Sequence, residues 1–498
     1  MRDDLLLAID AGTSRIKVAL FGGTGERVAL ASETTETFSP QAGWAEQNPN
    51  AWWQSAVRMI RAIMKHNRIT PGEIRALAVT GQMHGPVLLD SKSRLLGNCI
   101  IWQDRRAETE AHAVDRRVSE KTLYRLSGYR LSPQMTGPKL LWLSKKRRWL
   151  YLKARRIVLP KDYLRSRFTG DLYTDWTDAN GTGLFNMRKR NWAYDIFDEL
   201  GLDASKMPEI KPPFEVVSET NEFASRKTGL DKGIPVVAGA GDDVVSIGTG
   251  TASPGDLVVN IGTSCSTYAT FSKPTLDPQM RLECFVGCEY GKWLLSGTTN
   301  SAGASVDWIT RNLRTGPSKG NRNAYSYLDR LSPRSVKPSG LIFLPYLTGE
   351  RSPIWDANAK GELVGITQGH GRLDLVQGVL EGVCFTIRSI LDITEQLSGR
   401  KMKTVRVAGA ATSSVGWMQI LANILRRRVS IPAEGETTAL GAAILAAVGI
   451  KLAPNISKAT QRFQQQARIL TPQTQARRAY DAVYEQFTRL SNAHVKRS

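Results

Sequence analysis

Ala8-Ile9-Asp10-Ala11-Gly12-Thr13-Ser14, close to the start of the chain, is echoed past its midpoint by Val258-Val259-Asn260-Ile261-Gly262-Thr263-Ser264. Each copy is an apolar strand pattern running into a Gly-Thr-Ser turn, and each is followed by a returning strand pattern, at residues 16–21 and 266–271. A second echo pairs Leu77-Ala78-Val79-Thr80-Gly81 with Val405-Arg406-Val407-Ala408-Gly409, each late in its half. Two strings repeated in the same order predict an internal duplication. A chain of 498 residues is also too long for one ordinary core. The expected organisation is therefore two domains of related plan, residues 1–247 and 248–498, the second ending in a helical tail.

Between the two copies lies Val236-Val237-Ala238-Gly239-Ala240-Gly241-Asp242-Asp243, a β-branched strand that empties through glycines onto adjacent carboxylates. That arrangement presents an acid at a strand end, and Asp242 is the candidate catalytic base. Gly-Thr-Ser turns offer backbone N–H groups and hydroxyls to an anion, with glycine permitting close approach. Two such turns in matching positions suggest a cleft that grips a polyphosphate from both sides, through Thr13 and Ser14 on one and Gly262, Thr263 and Ser264 on the other. Only the first copy keeps a carboxylate, Asp10 against Asn260, which suits a hydrated Mg2+ ion bridging phosphates. Lys17 would add positive charge there. Neither a P-loop nor the protein-kinase set of loop, lysine and Asp-Phe-Gly occurs, so the phosphoryl acceptor is expected to be small and enclosed between the domains.

Gln82, Met83 and His84 at a strand exit, with Trp44, Trp102, Gln103 and Asp104, are candidates to line a pocket for a polyhydroxy compound. Amides and carboxylates bond hydroxyls, and aromatic faces cover C–H surfaces. Around them, residues 49–65 read as a helix capped by Asn48, whereas residues 174–179 read as a loop.

Composition narrows the remaining classes. The formal charge of +21 is spread over basic clusters such as Lys145-Lys146-Arg147-Arg148, residues 153–156, Arg188-Lys189-Arg190 and Arg426-Arg427-Arg428. None belongs to a nucleic-acid module, so they are read as solvated helix faces, with neither nucleic acid nor membrane as a partner. The richest apolar run, residues 439–450, is short and interrupted by Gly441 and Gly449. The opening Met1-Arg2-Asp3-Asp4-Leu5-Leu6-Leu7 turns acidic at once, unlike a signal peptide. Five scattered cysteines, an odd number, argue for packing residues rather than disulfides or zinc ligands. A cytoplasmic location is the resulting expectation.

These residues resemble the FGGY carbohydrate kinases, of the actin, sugar-kinase and Hsp70 superfamily, over residues 6–449. The resemblance rests on Asp10-Ala11-Gly12-Thr13-Ser14, Gly43-Trp44-Ala45-Glu46-Gln47, Gly81-Gln82-Met83-His84-Gly85, Pro138-Lys139-Leu140-Leu141-Trp142, Leu159-Pro160-Lys161-Asp162-Tyr163-Leu164 and Gly241-Asp242. In the second half it adds Gly262-Thr263-Ser264, the run from Phe343 to Arg351, and residues 361–381. It implies an α/β fold of two related actin-like (ribonuclease H-like) domains, each a mixed sheet flanked by helices, with the active site in the interdomain cleft. The N-terminal domain would hold the sugar and the C-terminal one the nucleotide. The implied reaction is ATP-dependent phosphorylation of D-xylulose at its terminal hydroxyl, with Asp242 as base and magnesium at Asp10 and Asp242. Gln82, Met83, His84, Trp102, Asp104 and Asp243 would contact the sugar. Thr13, Ser14, Lys17, Gly262, Thr263, Ser264, Gly409, Ala410, Ala411 and Ser414 would contact the nucleotide. A homodimer is a family expectation.

Three departures bear on this. Gly409-Ala410-Ala411-Thr412 stands where the family usually has Gly-Gly-Gly-Ala, Asp243 replaces a common asparagine, and the two family signatures are imperfect at Gly378, Gln134 and Lys146. Added Cβ atoms beside a nucleotide and an added carboxylate beside the base leave two alternatives open. One is a kinase for another pentulose or polyol, of the ribulose, erythritol or glycerol class. The other is a non-catalytic sugar- or nucleotide-sensing protein.

Overall fold

Strand β1 (Leu5–Ala11) is buried at every position, as a strand covered on both faces must be. The computed structural model describes residues 4–250, 254–313, 328, 337–464 and 466–497; the Met1-Arg2-Asp3 opening lies outside them. β1 pairs antiparallel with β2 (Arg15–Phe21), which pairs antiparallel with β3 (Arg27–Thr34). On its other side β1 runs parallel to β4 (Ile74–Gly81). β5 (Val216–Glu219) and β6 (Pro235–Val237) complete the sheet, β6 parallel to β4 and antiparallel to β5.

The second half builds its sheet from β7 (Asp256–Ile261), β8 (Cys265–Phe271), β9 (Glu283–Val286), β10 (Trp293–Thr299), β11 (Thr404–Ala408), β12 (Arg428–Pro432) and β13 (Ala467–Leu470), in the order β9-β10-β8-β7-β11-β12-β13. Leaving out β9, the pairings from β10 to β13 run antiparallel, antiparallel, parallel, parallel, antiparallel. From β3 through β2, β1, β4 and β6 to β5 the succession is the same. The two sequence echoes fall on equivalent strands, β1 with β7 and β4 with β11. Gly81 and Gly409 are equivalent too. A Cβ on Gly81 would lie 2.6 Å from the Ala11 carbonyl oxygen, and one on Gly409 would lie 2.3 Å from that of Ile261. Both glycines thus let the central parallel pair of strands close up just before the Gly-Thr-Ser turn.

Helix Pro49–Asn67 forms as its spacing predicts, with Asn48 accepting from the Asn50 N–H. It lays Trp52, Ala56, Met59, Ile60 and Ile63 into the core under the first sheet, where each large aliphatic side chain contributes about 1.5–3 kcal/mol. The opposite face of that sheet is covered from the far end of the chain. Ala439, Leu440, Ala442, Ala443 and Ile444 of helix Thr437–Gly449 pack with Leu6, Ala8, Ala76, Ala78 and Val237. This explains why the segment is apolar all round: it is clasped between the halves. Among the described residues no helix is long and apolar enough to cross a membrane. The C-terminal helix Thr474–Arg497 seats Ala476, Tyr480 and Phe487 in the second core. All five cysteines are buried and unpaired with one another.

One local expectation fails. Residues 174–179 are the end of a strand, Tyr173–Asp175, and a short helix, Trp176–Asn180, all buried. Their polar composition suggests a loop, yet Asp175 caps the helix by accepting from the Thr177 and Asp178 N–H groups, and the carboxylates meet buried cations. Tertiary partners supply what solvent would supply in a loop.

Candidate active site

After β6 the backbone breaks at Ala238-Gly239 and rejoins β4 at Ala240 and Gly241, opposite Thr80 and Gly81. It then turns into the helical segment Asp242–Gly248, with Asp242 at its start. The approach is held from several sides. Thr80 donates to the Gly241 carbonyl (3.1 Å), the Gly241 N–H donates to Thr177 Oγ1 (3.0 Å), and Arg165 donates to the Ala238 carbonyl (2.7 Å). Arg165 and Thr177 belong to a buried charge cluster in which Lys161 Nζ lies 2.5 Å from Asp162, 2.8 Å from Asp175 and 3.6 Å from Asp178. Burial pushes Asp178 well above the usual carboxylate range, opposed by Lys161. From below, a Cβ on Gly441 would lie 2.4 Å from the Val244 carbonyl oxygen, so the Thr437–Gly449 helix presses directly on this turn.

Asp242 is exposed where it meets a cavity of about 120 Å3 between the halves. The surrounding protein still raises its pKa to about 6, against the opposing pull of its own backbone N–H and Arg351. Asp10, on β1, is buried and raised to about 7, first by desolvation, with Lys17 lowering it and Asp242 and Glu436 raising it further. A buried carboxyl raised further by the charge of a second one would be relieved by a cation between them. Among the described residues no cluster of three or more His, Cys, Asp or Glu side chains forms a protein-only metal site. An Asp10–Asp242 pair fits magnesium, which takes one or two carboxylates and completes its shell with water and phosphate.

Of the residues singled out in sequence for the sugar, Met83, His84, Trp102 and Asp243 line the cavity. His84 Nδ1 donates to the Gly181 carbonyl (2.6 Å), which leaves Nε2 as the acceptor. Burial, with Lys139 and Arg351 adding to it, depresses its pKa to about 3, so the ring is neutral. Gln82 and Asp104 do other work. Gln82 donates to Gln47 (2.8 Å), which in turn donates to the Thr13 carbonyl (2.8 Å) and accepts from Trp52 (3.1 Å). The Asp104 carboxylate is occupied by the Arg106 guanidinium (2.7 Å) and the Ala45 N–H (2.5 Å). Trp44 packs edge-on against Trp142 beneath the same arginine.

The nucleotide candidates divide similarly. Trp102 Nε1 donates to Thr13 Oγ1 (2.7 Å), and Ser14 and Thr263 are exposed at their turns. Ser264 lines the cavity, and beside it Gly262 leaves open space where a side chain would sit. Lys17 is ion-paired with Glu436 (2.6 Å) instead of standing free. Gly409 has φ +91° and opens the turn Ala410–Ser413, with Ala410 exposed and Ala411 buried. Ser414 is buried and caps the next helix by accepting from the Trp417 N–H (3.3 Å).

The rest of the cavity wall escaped sequence reasoning. Tyr129 stacks on Phe285 across the halves, with ring centroids 4.3 Å apart, and His84 meets Tyr129 edge-on. Glu283 is raised to about 7 by burial, partly offset by Arg351 and the Arg130 N–H. Arg351 Nε donates to Asn300 (2.9 Å) while its guanidinium reaches the cavity. These residues come from three distant stretches of the chain, and only Arg351 stood inside a motif that called attention to it.

Comparison with known proteins gives a consistent picture. The model for the FGGY family of carbohydrate kinases matches residues 5–248 as the N-terminal domain and residues 257–450 as the C-terminal domain. The xylulose kinase of Escherichia coli is 31% identical, with 98% of each chain covered. The gluconokinase of Bacillus subtilis is 28% identical, covering 88% of this chain and 86% of its own. The crystal structure of ligand-bound xylulose kinase from Lactobacillus acidophilus superimposes with a TM-score of 0.89 at 28% identity, over 98% of both chains.

Proposed function

Because this chain belongs to the FGGY family of carbohydrate kinases, we propose that it phosphorylates D-xylulose at the terminal hydroxyl, with ATP as donor and D-xylulose 5-phosphate as product. The observation that carries this reading is the cavity itself: it is small, drawn from both halves, and sets an exposed Asp242 carboxylate among hydrogen-bonding side chains that include the neutral His84 ring. With a pKa of about 6, Asp242 is mostly ionised at pH 7 and ready to accept a proton.

In the proposed step the sugar hydroxyl oxygen forms a bond to the γ-phosphorus and its proton passes to Asp242. The bond from the γ-phosphorus to the β–γ bridging oxygen breaks, and the electron pair leaves with ADP. The hydroxyl and N–H groups of the two Gly-Thr-Ser turns, with the Gly409–Ala411 turn, would receive the nucleotide. Asp10 and Asp242 would hold Mg2+, which neutralises phosphate charge when bound. His84 Nε2 would accept from a sugar hydroxyl, and the Tyr129–Phe285 stack would cover its C–H face.

The gluconokinase relative and the cavity's Arg351 support a second reading, a sugar-acid acceptor. Against it, the same cavity holds the Asp242 carboxylate, mostly ionised at pH 7, which disfavours a second bound carboxylate. The test is ADP release over D-xylulose, L-xylulose, D-ribulose, L-ribulose, xylitol, ribitol, erythritol, glycerol and D-gluconate, with Asp242→Asn as control. Turnover on D-xylulose that disappears in the variant supports the proposal. Preference for gluconate or glycerol would replace the substrate and keep the base. ATP binding without turnover on any acceptor would favour a sensing protein.

A further inference from the structure

The short helix Arg148–Lys153 exposes its two largest apolar side chains together. Trp149 is 63% exposed and Leu152 60%, whereas Tyr151 between them is buried and Leu150 packs against the core. Residues three apart share a helix face, so the pair makes a single apolar knob. No other large apolar side chain among the described residues is more exposed than Trp149.

The knob is ringed by positive charge. Lys145, Lys146, Arg147 and Arg148 lead into it, and Lys153 and Arg155 follow, all exposed. None of the six makes a salt bridge among the described residues. Arg155 faces Asp203, but that carboxylate already accepts from the Ser205 N–H and hydroxyl. The wider segment is equally one-sided: from Lys121 through Lys161 the sequence holds twelve Lys or Arg and no Asp or Glu. None of the knob's residues lines the catalytic cavity, so the charge there has no part in phosphoryl transfer.

Reading the sequence alone makes these clusters a solvated face. The exposure of Trp149 and Leu152 changes that. An indole is at home at the boundary of apolar and hydrated layers, and long basic side chains lay their stems over apolar surface while their heads reach phosphate. One apolar signal gives marginal binding and a polybasic patch beside it makes the contact stable. Nucleic acid would use the cations but offers no apolar bed for Leu152. We infer that the Trp149–Leu152 knob and its basic ring dock this protein on the surface of an anionic phospholipid bilayer. The contact is interfacial, and it does not depend on which sugar the cavity accepts.

The test is co-sedimentation of the full chain with vesicles of phosphatidylcholine containing phosphatidylglycerol, against pure phosphatidylcholine, at low and high salt. Binding is expected only to the anionic vesicles, and it falls steeply as salt screens the charges. Trp149→Ala/Leu152→Ala and, separately, Lys145→Glu/Lys146→Glu should each lower the partition coefficient about tenfold or more. Turnover in solution is unchanged in both variants, which also shows that they fold. Failure to sediment with anionic vesicles at low salt overturns the inference. So does undiminished binding by the alanine variant, which would make the patch purely electrostatic. Retention on duplex DNA that the charge variant loses and the alanine variant keeps, without vesicle binding, would reassign the surface to nucleic acid.

Discussion

The two Gly-Thr-Ser turns occupy equivalent places in equivalent sheets, yet they are built to different standards. The first is braced: Thr13 takes hydrogen bonds on both its hydroxyl and its carbonyl, from Trp102 and from Gln47, and Gln82 locks Gln47 in place. The second has an exposed Thr263 and an open Gly262. The first follows Asp10 and the second Asn260. Duplication therefore explains the frame, and divergence sets the two turns apart: the carboxylate and the bracing belong to the first. A symmetric turn pair would set carboxylate against carboxylate, whereas here the first turn has Asp10 before it and the second has the neutral Asn260.

The sharpest way to break this comparison is at the proposed base, Asp242. Asp242→Asn is expected to lower kcat by two to four orders of magnitude with thermal stability retained, as measured by steady-state ADP release and a melting curve. Next comes the asymmetry. Asp10→Asn, which makes the first turn like the second, should cost on the order of a hundredfold in kcat/KM and raise the magnesium concentration needed for half-maximal rate. Asn260→Asp should do neither, and equal effects from the two changes would abolish the distinction between the turns.

The pH profile adds a finer test. As the proposed base, Asp242 would accept a proton only when ionised, so kcat/KM should be level above its pKa of about 6 and fall about tenfold per unit below it. Burial first, and the charge of Asp242 second, push Asp243 well above the usual carboxylate range. Asp243→Asn should therefore leave the acidic limb where it is and act on KM for the sugar; a displaced limb would show that the two aspartates share their proton. The smallest effect concerns bracing. Thr13→Val removes the acceptor for Trp102 and should cost about 1–2 kcal/mol in denaturant unfolding, whereas Thr263→Val, at an exposed position, should stay within about 0.5 kcal/mol.

Particular residues show where sequence reading reaches its end. His84 and Gln82 are neighbours at one strand exit, and both are polar groups suited to a sugar. His84 turns to the cavity and Gln82 to Gln47, a distinction that depends on packing. Asp104 has the chemistry of a sugar ligand, yet its carboxylate is spent on Arg106. Residues 174–179 look like solvent-exposed loop because the carboxylates of Asp175 and Asp178 find their partner, Lys161, on another helix. Tyr129, Glu283, Phe285 and Arg351 carry no local signal that they share a wall.

What this sequence determined by itself is whatever short-range pattern encodes: strand periodicity, the glycines that let paired strands and turns close up, the order of elements, and through their repetition the duplicated plan and Asp242 at a strand end. Tertiary structure alone decided which polar groups face the cavity, which carboxylates are raised by burial or paired with a cation, and that an alanine-rich helix near the chain's end supports the turn that carries Asp242. The reason is physical. Backbone propensities act over a few residues, while desolvation, ion pairing and close packing depend on groups that only the completed fold brings together.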